Sequence, residues 1–304
     1  MTETKNPFLE PYNTPHHTPP FHLIKVEHYE PAIREGMKEQ NEEIDAIVNN
    51  AEKPNFQNTI VALERSGSLL ERVTTIGNLL SAETNDEMQE LAEKMMPLLA
   101  EHNNSISLNE KLFARIKAVY DRKDQLTLNG EDSMLLQKTY DGFIRSGANL
   151  QGEAKEKYRR LNTELSVLAL RFSQNLLKET NNYELSLTTS QLEGLPESML
   201  ESYAQTAKEK GKEGNIITLD APSFVPFMKY CKDRTLRQQL YMAYNTQCTH
   251  DNEYNNMDII KQLVNIRMEL VQLLGYSNYA EYVLKKRMAE TEESVYQLLN
   301  QLLD

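Results

Sequence analysis

Apolar residues recur at steps of three and four along most of the chain, the spacing that lines one face of an α-helix. Ile33, Met37, Ile44, Ile47 and Val48 give a first amphipathic helix after Pro31. Pro54 marks the next start, ahead of Phe56, Ile60, Leu63, Leu69, Leu70, Val73 and Ile76, with a break expected at Ser66-Gly67. Helices follow around 85–103, 110–120 and 131–146, the second with Asn109 placed to cap it. The longest periodic run is Ala154, Tyr158, Leu161, Leu165, Leu168, Phe172 and Leu176. Val167, Leu170 and Leu177 widen its buried face, which suits a helix packed within a bundle better than a two-stranded coiled coil.

At Tyr183 the period changes. Residues 183–188 alternate and 215–219 are β-branched, so two short strands are expected with a loop and a helix between them. Two strands make a minor sheet rather than a core. Pro222 and Pro226 bracket a turn of helix, and a helix from Asp233 places Leu236, Leu240, Tyr241, Ala243, Tyr244 and Cys248 on one arc. From Asp258 a broad apolar arc carries Ile259, Ile260, Leu263, Val264, Ile266, Leu270, Val271, Leu273 and Leu274, and ends at Gly275. Arg237 and Arg267 project from these apolar faces. An arginine there cannot shed its charge, so each is expected to form a buried pair with a carboxylate or with helix-end carbonyls, the alternative being a packed stem whose head reaches water.

The fold class is therefore all-α, a mostly helical bundle with a minor two-stranded β element. Three segments are expected: a proline-rich leader over 1–30 packed on the body, a helical domain over 31–182, and a β element plus helices over 183–304. The leader holds Pro7, Pro11, Pro15, Pro19 and Pro20, with Pro31 just beyond it, and proline favours extended, irregular backbone. The last helix, from Thr291, presents Val295, Leu298, Leu299, Leu302 and Leu303 and then meets Asp304 without a glycine or proline exit. That unmatched stripe leads to the expectation that the chain is truncated and that the stripe is exposed.

Composition narrows the function. A net charge of −12 argues against a nucleic-acid partner. The one basic triplet, Lys285-Lys286-Arg287, is expected on a solvated helix face. No apolar run approaches membrane-spanning length, no secretory signal is visible, and two cysteines, Cys231 and Cys248, suit a reducing compartment. The cytoplasm is the expected location. The six histidines, His16, His17, His22, His28, His102 and His250, form no H-E-x-x-H zinc helix and have poor spacing for a metal. Nucleophilic use of Cys231 with His250 is possible in principle, but buried structural thiols fit better. Among 45 acidic residues none stands out as a general acid–base pair; Glu269 and Glu281 read as exposed helix residues. No catalytic, cofactor-binding or metal-ligating residue is assigned.

Three blocks carry a resemblance: P-N-F-Q-N-T-I-V-A-L-E-R-S-G over 54–67, D-R-T-L-R-Q-Q-L-Y-M-A-Y over 233–244, and R-M-E-L-V-Q-L-L-G-Y-S-N-Y-A over 267–280. With the proline-rich leader, they resemble the N-terminal portion of thimet-oligopeptidase-like zinc metallopeptidases, above all the bacterial peptidyl-dipeptidase branch. The resemblance implies a parent enzyme of two helical lobes around a deep channel. There zinc, held outside this chain, would activate water to remove C-terminal dipeptides from short peptides. Its partners would be peptide substrates and a missing C-terminal catalytic half, with no nucleic acid or membrane. Residues 183–304 would begin the catalytic region, stopping before the zinc motif. The fragment itself would form a channel wall, hold no zinc and be inactive. A broader oligopeptidase of the same family, or a stand-alone helical interaction scaffold, is the alternative reading.

Overall fold

The structure, a computed structural model, describes residues 5–80 and 84–303. Residues 1–4 of the expected leader and Asp304, where the last expected helix stops, lie outside the described residues. Its elements are helices with one small sheet, as the periodicity requires. Two compact units are distinguished: residues 1–167 with 265–304, and residues 168–264.

The first unit begins with the leader, which is irregular but anchored. Phe8 is fully buried and meets the Tyr29 ring edge-on at 4.8 Å. Arg72 donates to the Phe8 carbonyl, and Asn6 donates to the His28 carbonyl at 2.8 Å. Helix α1 (Tyr29–Val48) then packs on α3 (Ser68–Leu80). Gly36 permits that packing, because a Cβ there would lie 2.8 Å from the Leu70 backbone nitrogen. Between them Asn55 caps a π-type turn, Phe56–Val61, which runs into the short α2 (Ala62–Glu64). The break falls at 65–67, where Gly67 takes a φ of +75°.

Helices α4 (Asp86–Ser107), α5 (Glu110–Tyr120) and α6 (Gly130–Arg145) follow close to their expected ranges. Asn109 accepts from the Leu112 amide at 3.0 Å, the cap its side chain suggested. Two apolar clusters hold the unit together, one around Phe8, Tyr29, Val73 and Met95, the other around Phe56, Ile60, Leu112, Ile116 and Leu136.

The periodic run forms α7 (Gly152–Asn182). Tyr158, Leu161 and Leu168 are buried as expected, but Leu176 is 38% exposed while Gln174 and Asn175 are buried. The apolar stripe thus gives way to an amide pair in the last turns.

The second unit is built on β1 (Leu185–Leu187) and β2 (Asn215–Ile217), antiparallel with Leu185 opposite Ile217 and Leu187 opposite Asn215. Helices α8 (Glu197–Glu209), α9 (Ala221–Tyr230) and α10 (Arg234–Asn245) belong to the same unit. Leu187, Tyr203, Ile217, Phe227, Leu236 and Leu240 share one core.

Helix α11 (Met257–Leu273) buries Ile259, Leu263, Ile266, Leu270 and Val271. Its apolar arc is broader than its contacts: Ile260 and Val264 are 42% and 58% exposed. After α12 (Tyr279–Leu284) the basic triplet Lys285-Lys286-Arg287 is exposed, but it lies in a turn rather than on a helix. In α13 (Glu292–Leu303), Leu298, Leu299, Leu302 and Leu303 are between 52% and 85% exposed, as the unmatched stripe suggested.

Candidate functional site

The two arginines that broke apolar faces end differently. Arg237 is half-buried at the start of α10 and donates to the Cys231 and Lys232 carbonyls at 2.6 and 3.0 Å. These are the free carbonyls just past α9, so the arginine seals a helix end as expected. Arg267 corrects the expectation. It makes no ion pair or hydrogen bond among the described residues. Its guanidinium lies 5.3 Å from the Tyr279 ring centroid, and its Nε is unpartnered. A half-buried arginine can rest on an aromatic face and reach water, which removes the need for a carboxylate.

An arginine that drew no attention in the sequence is held more firmly. Arg145, at the end of α6, stacks 3.8 Å from the Tyr282 ring centroid and donates to the Tyr282 carbonyl at 2.8 Å. The Tyr282 hydroxyl donates back to the Arg145 carbonyl at 3.4 Å. An arginine close to a helix C-terminus complements the helix dipole, the signal that the sequence carried.

The histidines are dispersed. His16, His17 and His22 are exposed on the leader, and His28 accepts from the Lys25 amide at 3.0 Å. His102 is buried, donating through Nε2 to the Gln40 side-chain oxygen at 2.7 Å. Burial holds its pKa below the ordinary value, so the ring is neutral. His250 pairs with Glu179 at 2.6 Å and lies 3.2 Å from the Thr246 hydroxyl. Among the described residues no three His, Cys, Asp or Glu side chains converge as a metal site.

Both thiols are buried. Burial pushes the Cys231 thiol up; its sulfur lies 3.7 Å from the Asp233 carbonyl and it packs in the core of the second unit. Cys248 has its thiol pushed up to about 11, first by burial and then by the Glu179 carboxylate. A thiol that resists ionisation is a poor nucleophile. The segment carrying Cys248 and His250 is instead a fastening within the second unit. Gln247 donates to the Thr180 hydroxyl at 2.6 Å, and buried Asn256 donates to the Phe172 carbonyl at 3.0 Å while accepting from Asn175 at 2.9 Å.

A polar cavity of about 480 Å³ lies in the first unit, walled by α1, α2, α4, α6, α7 and α12. Asn104 and Asn162 lie at its wall, and a network fixes them. Asn162 donates to Asn104 at 2.7 Å, and Asn104 donates to the Arg159 carbonyl and the Thr163 hydroxyl at 3.3 and 3.1 Å. Sequence periodicity assigned Tyr158 to an apolar stripe and left these amides unassigned; only the fold brings them together.

The comparisons agree with the motif blocks. The chain is 37% identical over 303 residues to the dipeptidyl carboxypeptidase of Escherichia coli (strain K12), covering 99% of this chain and 44% of that protein. It is 30% identical over 303 residues to oligopeptidase A of the same organism, covering 98% of this chain and 44% of the relative. A thimet-like oligopeptidase of Dictyostelium discoideum is 26% identical over 276 residues, covering 89% and 40%. The chain thus spans less than half the length of these curated relatives. Its residues 227–304, which take in α10, Arg237 and the α11–α12 pair, match the model of peptidase family M3.

Proposed function

We propose that this chain is the helical N-terminal portion of a zinc peptidase that hydrolyses short oligopeptides and releases C-terminal dipeptides in the cytoplasm. The observation that carries the reading is the 37% identity to a dipeptidyl carboxypeptidase across 303 residues. In this reading residues 31–182 are a helical domain covered by the leader, and residues 183–304 begin the catalytic region. The family match over 227–304 supports that placement. Zinc and the glutamate that activates water belong to an H-E-x-x-H helix outside these 304 residues, since the sequence has no such motif. The chain's own contribution is structural: capped and cross-braced helices such as α10, sealed to α9 by Arg237, form one wall of a channel that admits unfolded peptides. Two buried free thiols fit a reducing compartment.

The similarity to oligopeptidase A favours a second reading, a peptidase of broader specificity that also cuts internal bonds. Product analysis separates the two. Purified chain with added zinc and a quenched oligopeptide should show no chelator-sensitive turnover; turnover would overturn the placement of zinc outside it. The same chain in its longer protein should release dipeptides from the C-terminus of an N-blocked peptide. Internal cleavage as the main product would favour the second reading.

A further inference from the structure

We propose that the polar cavity of the first unit is a binding site for an uncharged, amide-bearing molecule with a small apolar group. The cavity's size, about 480 Å³, falls within the range of small-ligand sites. The inference does not rest on the peptidase reading, since every residue it uses lies in this unit.

The first observation is Tyr158. It is 7% exposed and lines the cavity, yet among the described residues its hydroxyl has no hydrogen-bond partner. The residue is buried but its hydroxyl opens onto the cavity, where it is free to bond a ligand or solvent atom. Burial pushes the phenol up to about 12, with the neighbouring Tyr282 phenol adding to the shift and Arg145 opposing it. The hydroxyl therefore stays protonated and able to donate.

The second observation is the fixed orientation of the amides around it. Asn104 spends both its donors and its oxygen on protein groups. Asn162 is held by its bond to Asn104, which leaves its own side-chain oxygen to accept from a ligand. Gln40 is held through its oxygen by His102, and its amide nitrogen packs against Gly67. Tyr158 thus offers a donor and Asn162 an acceptor. An amide needs that pairing: its carbonyl accepts and its N–H donates. Because the side chains are braced by second partners, little ordering is lost on binding.

The third observation concerns charge and shape. Among the described residues no Asp, Glu, Lys, Arg or His lines the cavity, so a charged ligand would lose hydration without a counter-charge. Leu63, Ile106 and Phe143 supply apolar wall, which suits a hydrocarbon substituent better than a sugar's ring of hydroxyls.

The test is a calorimetric titration of the chain with N-acetyl-phenylalaninamide, N-acetyl-phenylalanine and methyl glucoside. Saturable binding of the amide, at least tenfold tighter than the carboxylate or the glucoside, is expected. Tyr158→Phe should weaken it about tenfold, the loss of roughly one buried hydrogen bond. Ser107→Leu, which adds bulk to the cavity wall, should weaken it as well and guards against a fold defect in the first variant, both being checked by thermal melting. The proposal is overturned by any of three results: no saturable amide binding, equal binding of carboxylate or glucoside, or amide binding unchanged in both folded variants.

Discussion

Buried asparagines 175 and 256 allow a direct measurement of what holds the 246–256 segment to α7. Asn256 is 1% exposed and Asn175 is 9% exposed, so neither amide can turn to water. Asn256→Leu keeps most of the volume but removes two hydrogen bonds, those to the Phe172 carbonyl and from Asn175. The Phe172 carbonyl lies inside α7 and keeps its helical partner, so its loss is one net hydrogen bond, about 0.5–1.5 kcal/mol. The Asn175 amide is left as a buried donor without an acceptor, which costs about 1–3 kcal/mol. Asn256→Leu should therefore destabilise by about 1.5–4.5 kcal/mol, read as a lower midpoint in urea. Asn175→Leu should cost less, because the Phe172 bond survives. The double variant should fall short of the sum of the singles by about 1–2 kcal/mol, since each single already strands the other partner. Asn181→Leu, at an exposed position of the same helix, should change stability by under about 0.5 kcal/mol. If the two buried singles add without coupling, or cost no more than Asn181→Leu, the amide pair is not the fastening described.

Arg145→Met should cost about 2–4 kcal/mol, combining a charged hydrogen bond and stacking on Tyr282, whereas Arg267→Met should cost about 0–1 kcal/mol; equal midpoints in urea would refute the distinction. His102 has a folded pKa below its ordinary 6.5, so the unfolded chain binds its proton first. Stability should fall as pH drops from about 6.5 towards the folded value, and His102→Gln, which can still donate to Gln40, should flatten that arm of a midpoint-against-pH curve.

The helices were legible because each announces itself locally. A 3.6-residue period, an Asn cap at 109 and a glycine at 67 need no knowledge of distant neighbours, and α4 to α6 appear within a few residues of their expected ends. The short strands were legible for the same reason, through alternation of Leu185 and Leu187. Periodicity does not say which part of an apolar arc another element covers. On α11 the arc is wide enough for two neighbours, and Ile260 and Val264 stay largely exposed. On α7 the same period continues to Leu176, yet Asn175 takes the buried place because Asn256 supplies its partner from 81 residues away.

The cavity fails to show in the sequence for a related reason. Its chemistry depends on which polar groups are already satisfied, and satisfaction is a property of contacts. Asn104 looks like one of several polar residues in 102–105, and Tyr158 like one more apolar step in a long helix. Only when Asn162 has taken the oxygen of Asn104, and His102 that of Gln40, do the unused groups become defined. A donor without a partner at Tyr158 is then a consequence of packing, since the turns around it are filled by residues with partners of their own. The same logic separates Arg237 from Arg267. Both break an apolar face, but Arg237 lies in the first turn of α10, with the free carbonyls of Cys231 and Lys232 within reach, while Arg267 lies well inside α11. The sequence marks where a polar group will be costly, and the fold decides whether that cost is met by a partner, by water or by a ligand.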